Sequence, residues 1–150
     1  MTEFKFRRIP TAGGRLPKLP AFATAGSAGA DLRANLDAPV TVEPMGRVMI
    51  PTGLAVQLPA AGYGAFLFAR SGLAVKHGLA LSNGVGVIDS DYRGEIKVGL
   101  VNLSQQAYTI EPDERIAQLV VMPVTPFTAL ESDVLDDTAR GVGGFGSTGR

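Results

Sequence analysis

Short apolar stretches separated by turn-forming residues run along most of the chain. Within them, apolar side chains recur at every second position or fill a run of a few residues, which is typical of β-strands. No stretch of about twelve or more residues has a convincing apolar period of 3.6, which an amphipathic helix would show. The pattern predicts strands over residues 4–9, 48–50, 53–58, 63–69, 78–81, 95–103 and 115–124.

Gly, Pro or Asn punctuates these strands, and the chain has 19 glycines and 10 prolines among 150 residues. Many short strands at nearly regular spacing predict an all-β fold, a sandwich or a jelly-roll-like barrel. One short helical turn is expected over residues 71–77, with Ser71 as its N-cap and Gly78 as the residue that ends it.

Residues 83–98 form a polar turn between two apolar arms. The arm 85–88 is apolar and too short for a helix, and the arm 95–98 alternates charged and apolar residues. We expect the two arms to pair as a hairpin. Its tip would consist of the turn-forming residues Asp89, Ser90, Asp91 and Gly94.

This polar turn has two interpretations. Its composition is common in ordinary solvated turns. Alternatively, Asn83, Asp89 and Tyr92 line a small cup for a planar polar ligand, with Gly84 and Gly86 leaving room on the backbone side. In that case the apolar residues before Asp89 would partly shield its carboxylate from water, which suits a general base.

Composition excludes several classes of protein. The 14 basic and 14 acidic residues balance, which argues against a nucleic-acid-binding protein that depends on counterion release. The absence of cysteine rules out disulfides and thiolate sites and fits a reducing compartment. No apolar run approaches the ~20 residues that cross a bilayer, and the first residues do not resemble a signal peptide. We therefore expect a cytoplasmic protein without membrane or nucleic-acid partners.

The length predicts one domain, residues 1–139, with residues 140–150 as a flexible glycine-rich arm of the same domain. Residues 141–146 match the dinucleotide-binding pattern G-x-G-x-x-G, but no strand, turn and helix can be built around them. The arm is either a frayed terminus or a strap. As a strap, it would lay Phe145 on a base and place Arg140 and two hydroxyls around phosphates.

Two further clusters point to phosphate chemistry. Arg70, Ser71 and Gly72 put a guanidinium, a hydroxyl and backbone amides at the expected helix start, although such a tripeptide is usually a capped turn. Asp31 lies at a strand entry and is either functional or paired structurally with Arg33 or another basic residue.

Taken in order, these segments closely resemble the trimeric deoxyuridine triphosphate nucleotidohydrolases, or dUTPases. The resemblance covers about residue 26 to residue 150. It includes all five motifs of that family, at residues 28–32, 70–74, 83–94, 114–118 and 140–148. It implies the dUTPase-like form of a distorted jelly-roll-like β-barrel, and the hydrolysis of dUTP to dUMP and pyrophosphate, which supplies the dTMP precursor and keeps uracil out of DNA.

The resemblance also implies roles for individual residues. Asp89 corresponds to the general base that activates water for attack on the α-phosphorus, and Tyr92 to the ring against deoxyribose. Lys97 falls at a position that lines the nucleotide site, and Phe145 matches the aromatic residue over uracil. The implied uracil contacts are Asn83, Gly86, Val87 and Ile88. The implied phosphate contacts are Arg70, Ser71, Gly72, Gln118, Arg140, Gly146, Ser147 and Thr148.

The same resemblance implies Mg²⁺ held mainly by the triphosphate, with Asp31 as a possible outer-sphere contact, and a homotrimer whose active sites are shared between chains. One departure is Ala69, where family members often have proline. Two alternatives remain. A dCTP deaminase of the same superfamily uses a glutamate where this chain has Arg93, and a dUTP-gated regulatory module would bind without turnover.

Overall fold

The computed structural model describes residues 3–59 and 61–144, and over these ranges the regular secondary structure is β-strand apart from one short helix, as predicted. The strands are β1 Lys5–Arg8, β2 Ala21–Phe22, β3 Ala30–Arg33, β4 Val40–Val42, β5 Arg47–Gln57, β6 Tyr63–Ala69, β7 Leu79–Leu81, β8 Gly86–Ile88, β9 Ile96–Asn102, β10 Tyr108–Ile110 and β11 Arg115–Pro123. The helix α1 is Ser71–His77.

The strands pair antiparallel in three sheets. A four-stranded sheet has the order β1-β5-β9-β7, a five-stranded sheet has the order β2-β3-β11-β6-β8, and β4 pairs with β10. The inward faces meet in one apolar core, since alternate residues of the strands are buried there. Its largest fully buried apolar side chains are Leu32, Ile50, Leu54, Leu79, Ile96, Leu100, Ile110 and Ile116.

Strand β5 joins two predicted strands that the sequence had separated. Pro51 and Gly53 suggested a break, but they form an irregularity within one strand, where the pairing with β9 shifts between Pro51 and Leu54. Gly53 has φ +67°, which a side chain would strain, and a Cβ there would lie 2.7 Å from the Ile9 carbonyl oxygen. The short strands β2, β4 and β10 were not predicted.

The predicted hairpin around Asp89 is wrong. Strand β8 pairs with β6 in the five-stranded sheet, whereas β9 pairs with β5 and β7 in the four-stranded sheet. The residues between them, 89–95, therefore cross from one sheet to the other. The apolar run over 85–88 and the alternation over 95–98 predicted the two strands, but neither pattern carried information about which neighbour each strand pairs with.

Helix α1 has the predicted bounds, but its N-cap is Arg70 and not Ser71. The helix ends as expected, because Gly78 is left-handed at φ +69° and its amide donates to the Ala74 carbonyl oxygen at 3.0 Å. None of the helices found in the described ranges has the length and apolarity needed to span a membrane.

The chain leaves the five-stranded sheet at Pro123, and residues 124–140 are all exposed. Large apolar side chains recur along this exposed segment and just beyond it. They are Val124, Phe127, Leu130, Val134, Leu135 and Val142. The domain boundary at residue 140 stays a prediction.

Tyr108 on β10 ties the helix to the turn before β11. Its hydroxyl donates to Glu114 Oε1 at 2.5 Å, the other Glu114 oxygen accepts from the Glu111 amide at 2.9 Å, and the ring lies 4.8 Å from that of His77. Burial, together with the hydrogen bond to Glu114, raises the pKa of Tyr108 to about 12 from its ordinary 10.0.

We expect this tyrosine to make the protein less stable at high pH. Because the pKa is raised in the folded state, the neutral hydroxyl stabilises the fold fully below pH 10.0, and this contribution is lost as the pH rises towards about 12. Urea unfolding over that range would show a smaller loss of stability for Tyr108→Phe than for the wild type. Tyr63→Phe, at an exposed tyrosine, should follow the wild type; an unchanged slope in Tyr108→Phe would contradict the assignment.

Candidate active site

A cavity of about 330 Å³ lies between β8, β9 and the segment that connects them. It collects residues from the two arms of the central stretch and from the sheets behind them. Seven of the predicted site residues line it, namely Asn83, Gly86, Val87, Ile88, Asp89, Tyr92 and Lys97. The remaining lining residues are Met49, Leu67, Leu81, Glu95, Ile96 and Gly99.

Glycine lets β8 approach β6 closely at the floor of this cavity. Gly86 pairs with Leu67, and a Cβ on Gly86 would lie 2.9 Å from the Leu67 Cβ. Gly84 has φ +74° in the turn that leads into β8, a conformation that favours glycine. The sequence linked both glycines to ligand access, but Gly86 also allows the strands to pack.

The segment 89–95 is held by its own side chains. The Tyr92 amide donates to the Asp89 carbonyl oxygen at 3.2 Å, and the Tyr92 hydroxyl donates to the Glu95 carbonyl oxygen at 3.1 Å. The ring covers Gly94, where a Cβ would lie 2.5 Å from the tyrosine Cζ. Arg93 donates to the carbonyl oxygens of Ser90 and Tyr92 at 2.8 and 2.9 Å.

Glu95 is a site residue that the sequence analysis missed. One carboxylate oxygen accepts from the Gly53 amide at 2.8 Å, and the other lies 3.8 Å from Lys97 Nζ. Glu95 therefore anchors the crossing segment to β5 and places an anion next to the cavity's lysine. In the predicted strand 95–103, Glu95 and Lys97 are two residues apart, so the sequence already indicated that both side chains lie on the same face.

Asp89 is exposed in the single chain, although the sequence predicted partial shielding by the preceding apolar residues. Ile88 is buried and points into the core, while Val87 is 65% exposed, so neither covers the carboxylate. Any shielding of Asp89 has to come from residues outside this part of the chain or from a ligand.

A second cluster centres on Asp31. One Asp31 oxygen lies 3.3 Å from Arg70 Nε and the other 3.1 Å from Arg115 Nη1. Arg70 also donates to the Arg115 carbonyl oxygen at 3.0 Å. Asp31 thus pairs with two basic residues, but not with Arg33, which bonds to Asp113 at the adjoining turn. The sequence analysis did not single out Arg115.

Gln118 and the helix start adjoin this cluster. Gln118 on β11 pairs with Asp31 on β3 and with Phe68 on β6, next to the point where β6 ends and the helix begins. Ser71 and Gly72 are exposed in the first turn of α1, where the amides have no intrahelical partner and the side chains include no acid. A Cβ on Gly72 would meet no atom within 4 Å.

The two clusters are separate within one chain. Among the described residues, none of the Asp31 cluster or the helix start lines the cavity around Asn83 and Asp89. Arg140 lies in a turn of its own, where its Nε donates to the Gly143 carbonyl oxygen at 2.8 Å. The predicted contacts Phe145, Gly146, Ser147 and Thr148 lie outside the described residues.

The side chains of the described residues contain no ready-made cage for a metal. Over residues 3–59 and 61–144, no group of three or more His, Cys, Asp or Glu side chains could hold a metal ion. Asp31, the predicted outer-sphere residue, has an arginine at each carboxylate oxygen.

Comparison with known proteins identifies the family. The dUTPase family model matches residues 17–149. A deoxyuridine 5'-triphosphate nucleotidohydrolase of Desulfitobacterium hafniense (strain DSM 10664 / DCB-2) is 58% identical over 149 residues, which cover 99% of each chain.

Solved structures agree on the fold. The dUTPase of Staphylococcus bacteriophage 80alpha with dUPNHPP is 25% identical, covers 100% of each chain and has a TM-score of 0.87. A mutant dUTPase from phage phi11 of S. aureus, described with a structural Mg(II) ion, is 21% identical over 91% of this chain and 100% of its own. Its TM-score is 0.78, and at this low identity the comparison supports the shared fold alone.

These findings confirm both the jelly-roll-like β fold and the resemblance on which the residue roles were based. The family model spans most of the chain, and the Desulfitobacterium relative matches it nearly from end to end. This chain therefore belongs to the dUTPase family.

Proposed function

We propose that the protein hydrolyses dUTP to dUMP and pyrophosphate, with Asp89 removing a proton from the water that attacks the α-phosphorus. The observation that carries the proposal is the cavity that places Asp89 beside Asn83 and Tyr92 in a chain of the dUTPase family. A positioned carboxylate that accepts this proton accelerates the reaction by about 10²–10⁴-fold.

Strand β8 is suited to reading the edge of uracil. It is the last strand in its sheet, so one edge of Gly86, Val87 and Ile88 has no strand partner among the described residues. Uracil presents a donor between two acceptors, which free backbone amides and carbonyls match. The Asn83 amide supplies both a donor and an acceptor at the rim.

Tyr92 would select deoxyribose over ribose. Its ring is fixed over Gly94 by the hydroxyl's bond to the Glu95 carbonyl oxygen, so it presents a rigid face at the cavity. A ribose 2′-hydroxyl packed against this face would lose hydrogen bonds to water without gaining a partner. Lys97 lies near Glu95 at the same cavity, where it would extend along the nucleotide.

The triphosphate requires more donors than Asn83 and Lys97 supply at the Asp89 cavity. Arg70, the exposed amides and hydroxyl of Ser71 and Gly72, and the Gln118 amide supply them on the Asp31 cluster. Asp31 holds the Arg70 guanidinium in place, which lowers the entropic cost of phosphate binding. We assign Arg140 and the residues Phe145, Gly146, Ser147 and Thr148 to the arm that closes over base and phosphates.

The residues fit a Mg²⁺ ion that is carried in by the triphosphate. The described part of the chain has no carboxylate cage, and Mg²⁺ commonly binds through phosphate oxygens, retained waters and few protein ligands. Asp31 would contact the ion only through water, since arginines occupy both of its oxygens. When bound, the ion offsets the negative charge of the phosphates.

We further propose a homotrimer with shared active sites. Two groups of site residues that do not meet in one chain would meet across subunits, and the exposed apolar residues after Pro123 would be covered there. Shielding of Asp89 would then come from a neighbouring chain and its arm, residues 140–150.

The lack of cysteine supports a cytoplasmic location.

Neither alternative has comparable support. A deaminase would need a carboxylate where Arg93 donates to two carbonyl oxygens of the crossing segment. The phage 80alpha dUTPases are described as controlling transfer of virulence genes, which is a role other than hydrolysis. The experiment therefore has to distinguish hydrolysis of dUTP from binding without turnover.

Replacing the base tests the reaction directly. Asp89→Asn should lower kcat by about 10²–10⁴-fold with little change in dUTP binding, because the amide cannot accept the proton. Pyrophosphate release would be measured with dUTP, dCTP, dTTP and UTP as substrates, and the products would be identified. Asp91→Asn, in the same segment but outside the cavity, is the matched control and should keep wild-type activity. Binding by the wild type without turnover would leave the regulatory alternative, and deamination of dCTP would point to the deaminase.

Gly94→Ala should weaken discrimination at the sugar. A Cβ at this position overlaps the Tyr92 ring and would push it from its place. We expect kcat/KM for dUTP to fall about tenfold, which corresponds to roughly 1.4 kcal/mol, and the preference for dUTP over UTP to fall with it. Gly26→Ala, where a Cβ meets nothing within 4 Å, should leave both quantities unchanged. If Gly94→Ala kept the wild-type preference for dUTP over UTP, Tyr92 would not be the residue that selects deoxyribose.

Mixing two inactive variants tests the shared site. Asp89→Asn and Arg70→Gln homotrimers would each be nearly inactive. After subunits are exchanged at equal amounts, about one quarter of the sites would combine an intact Asp89 and an intact Arg70 from different chains. Activity should rise towards that fraction, with unmixed samples treated identically as the control. No recovery despite demonstrated subunit exchange would place both residues in the same chain's site.

A further inference from the structure

A second polar cavity, of about 280 Å³, lies at the end of β3, away from the Asn83 and Asp89 cavity. We call it the β3 cavity. Its walls come from the loop before β2, from the chain that leaves β3 and from the turn before β11. The lining residues are Arg15, Leu16, Pro17, Lys18, Arg33, Ala34, Asn35 and Asp113. No predicted site residue is among them.

Positive charge exceeds negative charge around this cavity. Arg15, Lys18 and Arg33 line it with a single carboxylate, that of Asp113. Lys18 Nζ lies 2.5 Å and Arg33 Nη1 3.4 Å from the same Asp113 oxygen. Arg15 has no carboxylate within salt-bridge distance among the described residues, and its Nη2 donates to the Ala34 carbonyl oxygen at 3.3 Å. The lining thus carries three cationic side chains against one carboxylate, while Asp37, outside the lining, also interacts electrostatically with Arg15.

Two buried polar atoms of the lining residues have no partner in the described part of the chain. They are the Arg15 Nε, a donor, and the Asn35 Oδ1, an acceptor. Asn35 is only 6% exposed, and its Nδ2 donates to the Ile9 carbonyl oxygen at 3.1 Å. That bond fixes the orientation of the amide, since a flip would set Oδ1 against another carbonyl oxygen. Buried groups of this kind normally have partners.

We propose that the β3 cavity binds a small tetrahedral phosphate as the monohydrogen dianion. Its oxygens would accept hydrogen bonds from Arg15 and Lys18, and its single P–OH group would donate to Asn35 Oδ1 once a small side-chain shift opens this buried oxygen to the cavity. The volume suffices for the anion with water beside it, since one liquid water occupies about 30 Å³. The proposal does not depend on the proposed hydrolysis of dUTP.

The acceptor in the site makes the proposal specific. Sulfate has the same shape and charge as monohydrogen phosphate but carries no proton above neutral pH. It would satisfy the cations and leave Asn35 Oδ1 without a donor, so it should bind roughly tenfold more weakly than phosphate. A purely electrostatic surface would bind the two anions alike.

The test is calorimetric titration of the full chain with inorganic phosphate and with sulfate, at constant ionic strength and slightly alkaline pH. We expect saturable phosphate binding that weakens about tenfold in Arg15→Gln and in Lys18→Gln, because each change removes a charged donor. Lys5→Gln, at an exposed lysine outside the cavity, should bind like the wild type. Melting temperatures without phosphate check folding, and the exposed Lys18 keeps the test valid if Arg15→Gln is unstable.

Several results would overturn the proposal. An absence of phosphate binding would mean that only water fills the cavity, and equal binding of sulfate would remove the role of Asn35. Binding lost in Arg70→Gln but kept in Arg15→Gln would place the anion in the nucleotide site. Hydrolysis of dUTP by Arg15→Gln and Lys18→Gln should stay at the wild-type level, so failure of this proposal and failure of the proposed activity are distinguishable.

Discussion

The pairing of β8 with β6 is the contact on which both candidate clusters depend. β6 is an inner strand of the five-stranded sheet and lies between β11 and β8. Its edge holds β8, and with it the residues around Asn83 and Asp89, because Gly86 lets the two backbones close over Leu67. Its end continues into Arg70 and the helix. One strand therefore positions the residues that we propose contact the base along its side, and those that we propose contact the phosphates at its tip.

The crossing segment 89–95 is the second constraint. Since β8 and β9 lie in different sheets, strand pairing does not fix the residues between them. Three interactions do so instead: the Tyr92 ring over Gly94, the Arg93 guanidinium on two carbonyl oxygens, and Glu95 on the Gly53 amide. Side chains thus fix the segment that carries Asp89, at a place where the backbone ladder ends, as the proposed catalytic role of its carboxylate requires.

Local patterns predicted most of the strands because a period of two reports burial on one face. They failed where pairing or backbone exceptions decide the structure. Alternation does not state which sheet a strand joins, so the expected hairpin at Asp89 was wrong. Pro51 and Gly53 read as a break but form an irregularity within β5, and two-residue or three-residue strands such as β2 give no periodic signal.

The candidate site divides in the same way. Asn83, Asp89 and Tyr92 were predicted because they share one short stretch, whereas the Arg115 contact to Asp31 joins residues 84 positions apart and left no local signal. Glu95 was passed over because a carboxylate beside a strand resembles an ordinary surface charge. The roles of these residues came from the family resemblance, since spacing alone left an ordinary solvated turn open.

Exposure of Asp89 has a physical consequence for how such a site works. A carboxylate in open water is surrounded by many competing waters, and arginines act on phosphates more weakly there than in a shielded site. The single chain leaves Asp89 exposed, Tyr92 46% exposed and the Arg70 side chain on a different surface. For the proposed hydrolysis, water exclusion and phosphate binding both require surfaces that the described residues of one copy do not bring to this cavity. Association of copies would supply both at once, and the proposed homotrimer would then be part of the chemistry as well as of the stability.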